Sequence, residues 1–435
     1  HLFPIFSVKY RFRLFLLYTI LAVLSTHFSA ICAELKKFPK IFSDAVATAS
    51  KIPILVRREA AETRNRFVFA ENNQSGSPRA AALRPAVQLY KGLMRIEMKI
   101  CGIICEYNPF HNGHAYLIER AKRESGCDAL VCIMSGSFTQ RGEIALLDKY
   151  TRAKHAVYAG ADAVLELPTV FAISPAEIFA KGAVKILASI PAFDTLAFGC
   201  ERDEKALFLS AARATAAESA EQKKVLRARL RAGESLTKAR TESLERTGRR
   251  DLAEFLRSPN NILGTEYQKA IEFFGCRAQI LPIRRTGASH GSTDLGEKFS
   301  SAAAIRAAAR GGRLHEAKPP VPPYVFDDML RFTDGSLFQE IAHSAALTAD
   351  AKTLAEIVDC TEGLENRIKT YAREAEDFDD LIAKVTTKRY ISSRIRRILT
   401  AAVLGIPKTL VHGALQSPLY LKPLALRKST ADTLL

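Results

Sequence analysis

The segment between residues 100 and 134 constrains the fold of this chain more than any other. An apolar run at residues 100–105 leads into the sequence Asn108-Pro109-Phe110-His111-Asn112-Gly113-His114. The proline prevents the run from continuing as a central strand, apolar residues then recur at helical spacing, and a second apolar run follows at residues 129–134. This order predicts a strand, a helix and a second, parallel strand, which is the building unit of an open α/β sheet.

His111 and His114 fall where the predicted helix begins, at the sheet edge where open α/β sheets bind ligands. Backbone N–H groups and the positive end of the helix dipole attract anions there, and Gly113 lets the backbone approach a ligand closely. Two imidazoles add hydrogen-bond donors for the pentacoordinate phosphorus of an adenylyl transfer. Taken alone, the sequence His111-Asn112-Gly113-His114 fits a turn with two solvated histidines equally well. The surrounding pattern of strands and helices therefore has to decide between the two interpretations.

Short apolar runs continue to alternate with helical patterns beyond residue 134. We predict strands at residues 99–106, 129–134, 163–167, 195–198 and 278–283, with helices at residues 113–124, 149–159 and 175–188. A charged, helical insertion occupies residues 201–248. The predicted fold is α/β, a doubly wound parallel sheet of five strands followed by a mostly α-helical domain.

A proline cluster at residues 319–323 is typical of a hinge. We therefore predict a catalytic domain at residues 98–318 and an α-helical domain at residues 319–435. Residues 1–97 combine a basic start with an apolar run of about 11 residues, which resembles a secretory leader or an anchor but is short of the roughly 20 that span a membrane. We prefer a third interpretation, an upstream extension, and expect residues 98–435 to make no stable membrane association.

Composition narrows the class of protein. The 435 residues are 48% hydrophobic, which is enough for a sizeable core and excludes a disordered chain. Lys and Arg number 63 against 46 Asp and Glu, and the resulting charge of +17 suits a polyanion such as nucleic acid. The 8 cysteines lack paired C-x-x-C spacing, so we expect reduced thiols in a cytoplasmic protein and no metal site of Cys and His ligands.

Three further clusters are expected at the same edge of the sheet. The loop at residues 135–143 carries an arginine that suits a phosphate or a carboxylate. Gly199 lets an adenine or a ribose lie against the backbone. The third cluster has amide, hydroxyl and guanidinium groups that suit a triphosphate tail, although its serines also fit a helix cap beside a solvated arginine. Its members are Asn260, Arg284, Arg285, Ser300, Ser301 and Arg306.

Together these motifs resemble the bacterial tRNA(Met) cytidine acetate ligase family, within the HxGH nucleotidyltransferase superfamily. The likeness is strong from residue 98 to residue 310 and looser beyond. The matching segments are residues 106–114, 134–143, 148–153, 160–168, 198–201, 259–264 and 283–285.

The resemblance implies a nucleotidyltransferase-like fold that uses ATP to activate acetate as acetyl-adenylate and releases pyrophosphate. The acetyl group then passes to N4 of the wobble cytidine, position 34, of elongator tRNA(Met). By position, His111 and His114 would be catalytic, and Mg²⁺ is expected to be held mainly by the phosphates. The implied ATP-binding residues are Ile104, Cys105, Glu106, Tyr107, Asn108, Pro109, Phe110, His111, Asn112, Gly113, His114, Ala115, Tyr116, Leu117, Gly199, Asn260, Arg284 and Arg285, with Ser300, Ser301 and Arg306 as further phosphate contacts.

Basic clusters at residues 223–231, 246–250 and 388–397 suit an RNA backbone. For residues 223–231 a solvated helix face is at least as good an interpretation. We predict that Arg394, Arg396 and Arg397 bind tRNA. Two alternatives stay open: a small-molecule nucleotidyltransferase of the phosphopantetheine or nicotinate mononucleotide type, against which the basic helical part argues, and a non-catalytic RNA-binding relative.

Overall fold

The computed structural model describes residues 98–285 and 299–428, so the predictions for residues 1–97 lie outside the described residues. The strands are β1 (Ile100–Cys105), β2 (Ala129–Ser135), β3 (Ala163–Leu167), β4 (Phe193–Cys200), β5 (Gln279–Arg284) and β6 (Pro423–Leu426). The helices of the sheet region are α1 (Asn112–Ser125), α2 (Lys149–Tyr158), α3 (Thr169–Ala172), α4 (Ala176–Ala188), α5 (Lys205–Ala216), α6 (Ala220–Arg231), α7 (Leu236–Arg246), α8 (Arg250–Phe255), α9 (Pro259–Phe273) and α10 (Ala302–Arg310), followed by a 3₁₀ turn at Leu314–Ala317. Those that follow are α11 (Pro323–Met329), α12 (Ser336–Thr348), α13 (Ala351–Ala355), α14 (Leu364–Ala372), α15 (Phe378–Val385), α16 (Ser392–Leu404) and α17 (Lys408–Gln416).

The strands form one sheet in the order β5-β4-β1-β2-β3-β6. The pairs β1 with β2, β1 with β4, β2 with β3, and β4 with β5 are parallel, which confirms the predicted doubly wound α/β fold. The chain passes from β1 outward in one direction through β2 and β3, and then returns to the other side of β1 through β4 and β5. The strand order therefore reverses between β1 and β4, and ligands bind at such a point, beyond the carboxyl ends of the strands.

The predicted number of five strands was wrong, because β6 adds a sixth strand that pairs antiparallel with β3. β6 is four residues long, begins with proline and has no β-branched residue, so its sequence carries little strand signal. A first-position proline is tolerated because it sits on an edge strand. Contacts distant in sequence hold it: the N–H of Glu166 donates to the carbonyl of Lys422 at 2.8 Å, and the N–H of Arg427 donates to the carbonyl of Asp162 at 2.8 Å.

Buried apolar residues form two main clusters. One surrounds the sheet and includes Ile103 of β1, and the other lies among α12 to α17 and includes Ile395. Val325 and Met329 of α11 belong to the sheet cluster, so the polypeptide stays packed on the sheet beyond the predicted hinge. The carbonyl of Pro320 also accepts a hydrogen bond at 2.9 Å from the backbone N–H that opens α1. The division of the chain between residues 318 and 319 stays a prediction.

In the described part of the chain, no single helix is both long and apolar enough to cross a membrane. Among the described helices, only the pair α16 and α17, bent by 87° against each other, reaches that length and composition together. The apolar side chains of α16, such as Ile395, Ile398 and Leu399, are buried in the helical cluster.

Arg152 is a fully buried side chain on α2 that ties three loops together at the carboxyl edge of the sheet. Its Nε donates to the carbonyl of Leu147 at 2.9 Å, and its Nη1 donates to the carbonyls of Glu106 at 2.6 Å and Ser135 at 3.1 Å. Its Nη2 donates to the carbonyl of Gly136. Burial lowers the pKa of Arg152 to about 10, so the group remains charged at neutral pH. One planar guanidinium thus satisfies carbonyls that follow both β1 and β2.

We predict that Arg152→Lys lowers the free energy of unfolding by about 3 kcal/mol, because a single ammonium cannot reach four carbonyls and leaves buried acceptors unpaired. Urea denaturation followed by circular dichroism measures the change. Arg123→Gln is the control, since Arg123 pairs with Glu119 on the surface of α1, and it should cost about 0.5 kcal/mol or less. Equal losses in the two variants would contradict the role assigned to Arg152.

Candidate active site

The loop after β1 is fixed from two sides before it enters α1. The side-chain oxygen of Asn108 accepts a hydrogen bond from the N–H of Leu146 at 2.7 Å. The carbonyl of Asn108 accepts another from Nη1 of Arg306, also at 2.7 Å. Because both contacts come from distant parts of the chain, the position of His111 at the start of α1 depends on the assembled sheet edge.

Both histidines of the motif use Nδ1 to cap α1. The Nδ1 atom of His111 accepts from the N–H of Gly113 at 3.1 Å, and Nδ1 of His114 accepts from the N–H of His111 at 3.3 Å. A β-carbon at residue 113 would lie 2.9 Å from the ring of His111, so glycine permits this close approach. A neutral imidazole that accepts at Nδ1 carries its proton at Nε2. The caps therefore make each Nε2 a hydrogen-bond donor.

The two rings stack, with centroids 3.6 Å apart and planes 20° apart. Burial, together with the nearby guanidinium groups of Arg285 and Arg306, lowers the pKa of His111 to about 3. Burial also lowers the pKa of His114 well below its usual value, with added contributions from His111 and Arg285. Both imidazoles are consequently neutral at physiological pH.

A cavity of about 150 Å³ opens at the carboxyl ends of β1, β4 and β5, where the strand order reverses. Its size and mixed lining suit a small polar ligand with an apolar part. The lining residues are Ile104, Cys105, Glu106, Tyr107, His111, Gly113, His114, Tyr116, Leu117, Phe198, Gly199, Asn260, Leu263, Tyr267, Ile283, Arg284, Arg285, Phe299 and Ser300.

Glu106 contributes a carboxyl group to the cavity wall. It accepts a hydrogen bond from the N–H of Gln140 at 2.6 Å, which ties the loop after β2 to the end of β1. Burial raises the pKa of Glu106, while the Gln140 N–H and the charge of Arg306 oppose that rise.

The wall formed by β4, β5 and α9 carries amide and guanidinium groups. The side-chain amide of Asn260 donates to Glu201 at 2.6 Å, which fixes Asn260 at the amino end of α9. The backbone N–H of Arg285 donates to the carbonyl of Cys200 at 2.9 Å, and its side chain lies beside Gly199. Arg285 is exposed and near both histidines, so it supplies positive charge beside the rings.

The structure brings most of the predicted nucleotide-binding residues together around the cavity. Those that do not line it are Asn108, Pro109, Phe110, Asn112, Ala115, Ser301 and Arg306. Ser301 caps α10 by accepting a hydrogen bond from the N–H of Ala304 at 3.0 Å. A helix cap was the second interpretation of these serines in the sequence. Arg306 is mostly buried and holds the loop after β1, so its contact is with the protein backbone rather than with the cavity.

Five lining residues were not predicted: Phe198, Leu263, Tyr267, Ile283 and Phe299. They are apolar or aromatic, and in the sequence such residues cannot be distinguished from ordinary core residues. Phe198 and Tyr267 pack edge to face with centroids 5.6 Å apart, so they also serve the core between β4 and α9. Phe198 and Ile283 lie at strand ends next to predicted site residues, and this position was the sequence signal that could have indicated their place in the cavity wall.

The three arginines predicted to bind tRNA are engaged within the protein. Arg394 pairs with Asp359 at 3.3 Å, and Arg396 pairs with Asp379 at 2.8 Å. Arg397 is 9% exposed and pairs with Asp359 at 3.0 Å. A guanidinium that is already paired and mostly buried is a poor phosphate ligand, so these contacts do not support tRNA binding by the three arginines, and that assignment stays a prediction.

Arg397 instead helps to seat α16 on the loop after β2. Its Nη1 donates to the carbonyl of Gln140 at 3.4 Å, and the hydroxyl of Thr400 donates to the carbonyl of Gly142 at 3.0 Å. Gly142 has φ +71°, and a β-carbon there would lie 2.4 Å from the backbone nitrogen of Arg397. The glycine is therefore needed for α16 to lie against this loop.

Within residues 98–285 and 299–428, no group of three or more His, Cys, Asp or Glu side chains is arranged to hold a metal ion.

The fold and the site together define a nucleotidyl transferase. The chain matches the family model of the HIGH Nucleotidyl Transferase over residues 98–435. It is 39% identical over 311 residues to the tRNA(Met) cytidine acetate ligase of Caldicellulosiruptor saccharolyticus, a match that covers 69% of this chain and 76% of the relative. It is 38% identical over 321 residues to the enzyme of that name from Caldanaerobacter subterraneus, covering 72% of this chain and 80% of the relative. The chain belongs to the tRNA(Met) cytidine acetate ligase family.

A solved structure is similar in fold. The crystal structure of Thermotoga maritima TmcAL bound with alpha-thio ATP superposes with a TM-score of 0.71 and 31% sequence identity, over 78% of this chain and 82% of that one. The identity is high enough for the likeness to reflect the shared family as well as the shared fold.

We predict that neither His111 nor His114 takes up a proton in the folded protein between about pH 5 and pH 8, whereas unfolded histidine titrates near 6.5. Nuclear magnetic resonance of labelled imidazoles measures this. Because the unfolded state binds more protons, stability should fall as the pH drops below about 6.5. In His111→Asn, which keeps a capping oxygen, that dependence should weaken by up to about 1.4 kcal/mol per pH unit. Titration of either folded ring near 6.5 would contradict the capped arrangement.

Proposed function

We propose that this chain is an ATP-dependent ligase that activates acetate as acetyl-adenylate and transfers the acetyl group to N4 of the wobble cytidine of elongator tRNA(Met). Family membership supports the proposal, as does the similarity to Thermotoga maritima TmcAL, whose crystal structure is of a complex with alpha-thio ATP. The observation that carries it is the pair of stacked, neutral histidines at the start of α1, whose Nδ1 atoms are occupied by backbone N–H groups.

In the first step, an oxygen of acetate attacks the α-phosphorus of ATP, and the bond to pyrophosphate breaks. Negative charge builds on the phosphate oxygens and on the leaving group. The Nε2–H groups of His111 and His114 donate to those oxygens, and the amino end of α1 adds its dipole. Because the rings are held by their caps before ATP arrives, they need little reorganisation as the charge develops.

The remaining lining residues contact different parts of the nucleotide. Gly199 and Asn260 contact the nucleoside, and the exposed guanidinium groups of Arg284 and Arg285 bind the phosphate tail, with Ser300 beside them. Mg²⁺ accompanies ATP and is held mainly by phosphate oxygens and water, in keeping with the single carboxylate, Glu106, among the described residues that line the cavity.

In the second step, N4 of cytidine attacks the acetyl carbon, AMP leaves, and the amine loses a proton. The acceptor base must therefore reach the same cavity as ATP. We assign residues 98–318 to the nucleotide chemistry and residues 319–435 to a helical domain that assists RNA binding. A tRNA substrate also places the enzyme in the cytoplasm.

The proposed function predicts acetate-dependent pyrophosphate release and N4-acetylcytidine at position 34 of tRNA(Met). Mass spectrometry of that nucleoside after incubation with ATP and acetate is the test, with phosphopantetheine and nicotinate mononucleotide as alternative acceptors. Turnover with either small acceptor but not with acetate and tRNA would identify a small-molecule nucleotidyltransferase. RNA binding without pyrophosphate release would identify a non-catalytic relative.

We predict that His114→Asn slows acetyl-adenylate formation by about 10²-fold or more, since it removes the Nε2–H donor while its side-chain oxygen retains the cap to the His111 N–H. Acetate-dependent pyrophosphate exchange measures the rate, and His412→Asn on the exposed face of α17 serves as the control. Near-normal turnover of the His114 variant would overturn the assignment.

A further inference from the structure

Helix α6 carries a row of basic side chains that serve no contact within the described protein. Lys223, Lys224, Arg227 and Arg231 are all exposed, and none forms a hydrogen bond or ion pair through its side chain with any described residue. We call these four residues the α6 row.

The four side chains lie on one face of the helix. At about 100° per residue they fall within an arc of roughly 100°, and at about 1.5 Å per residue they span roughly 12 Å along the axis. The opposite face contains Gln222, which is 3% exposed and caps the helix together with Ser219. The α6 row is therefore directed away from the helix against which α6 packs.

Helices α6 and α7 pack against each other as a helical hairpin, and the charges of this hairpin are sorted between its inner and outer faces. Arg229, on the inner side of α6, pairs with Glu242 and with Glu234, and Arg246 of α7 also pairs with Glu242. Arg240 pairs with Glu218 at 3.6 Å. These acids are therefore occupied on the inner side, and Glu221 is the one acidic residue within α6 itself.

This arrangement is the opposite of that of the arginines on α16. Arg397 there is mostly buried, and Arg394 and Arg396 beside it each have an acidic partner. A cation that is already paired must break its pair to bind a phosphate, whereas an exposed, unpaired one only exchanges its counterions. The unpaired cations on α6 thus offer far more to a polyanion than the paired arginines on α16 do.

The α6 row is connected to the cavity through a short run of helices. The hydroxyl of Ser243 donates to the carbonyl of Gln222 at 2.9 Å, so the amino end of α6 lies beside the carboxyl half of α7. Two more exposed arginines, Arg249 and Arg250, follow α7 and lead into α8. The next helix, α9, begins one residue before Asn260 in the cavity wall.

We propose that the α6 row binds the phosphate backbone of the acceptor RNA. The inference rests on the proposed function, because it identifies where the tRNA is held while its cytidine is acetylated. Ammonium and guanidinium groups grouped on one face of a helix suit a regular polyanion, and the salt dependence of binding should report their number.

The test compares two full-length variants that each lose four positive charges. One is Lys223→Gln/Lys224→Gln/Arg227→Gln/Arg231→Gln. The other is Arg331→Gln/Lys352→Gln/Arg373→Gln/Lys388→Gln, which removes exposed cations without described side-chain ion pairs from the part of the chain after residue 318. All eight side chains are on the surface, so both variants should fold.

Fluorescence anisotropy with tRNA(Met) is measured between roughly 50 and 200 mM salt. The α6 variant should bind at least about tenfold more weakly at the lower salt concentration, and its log–log salt slope should fall by about 0.7 to 0.9 for each phosphate that is no longer neutralised. The matched variant should lower the slope by less than the α6 variant does, because the helical domain only assists RNA binding. Acetate-dependent pyrophosphate release without RNA should be unchanged in both, because neither set touches the cavity.

Two results would overturn the inference while leaving the proposed function in place. If wild-type protein acetylates tRNA(Met) and the α6 variant keeps wild-type affinity and slope, the proposed function stands and the α6 row has another acidic partner. If the matched variant alone binds more weakly, the helices after residue 318 hold the RNA. Failure of wild-type protein to bind or acetylate tRNA would instead reject the proposed function, and the inference with it.

Discussion

The buried guanidinium of Arg152 is the contact on which the active-site edge depends. Parallel strands end with carbonyl groups pointing toward the crevice, and these acceptors need partners where water is excluded. Arg152 supplies donors to carbonyls after β1 and β2 at once, so the two loops are positioned by the same group. Its charge is retained in the interior because Glu106 and the carbonyl dipoles surround it. The loop that presents His111 is then secured by Asn108, and the geometry of the two histidines follows from the packing of the sheet.

The electrostatics of the site suit an anion that arrives with its own charge. Arg285 and Arg306 make the surroundings of His111 positive, which adds to the effect of burial in lowering its pKa and keeps the ring neutral in the free protein. A bound polyphosphate would offset that positive charge, so the same arginines that disfavour a charged imidazole also attract the ligand. Neutral rings that donate through Nε2 can stabilise developing charge without first losing a proton. The backbone caps at Nδ1 make this possible, because they fix the tautomer before the ligand binds.

Local patterns were sufficient to predict the parallel strands and the position of the histidine motif, because strand ends and helix starts carry strong sequence signals. They failed where the outcome depends on distant contacts. β6 is a strand only because the backbone of the β3 region, at Asp162 and Glu166, pairs with it. Arg306 follows a helix cap as expected, but the folded chain directs it to the carbonyl of Asn108 rather than to the cavity. Phe198 and Tyr267 show only their apolar character in the sequence, and their place in the cavity wall depends on how α9 packs against β4.

Charge clusters illustrate the same limit more sharply, since the arginines of α16 and the basic residues of α6 look alike in the sequence. In the folded protein, Asp359 and Asp379 neutralise the first set, whereas Glu242 and Glu218 beside α6 are occupied by other arginines. The net charge of +17 therefore does not indicate where a polyanion binds. A polyanion binds the cations that remain unpaired in the folded protein, and which cations are paired depends on acids that are distant in sequence. Arg397 shows the alternative use of such a residue: it joins α16 to the loop that holds Glu106, so that the helical region supports the catalytic edge through packing.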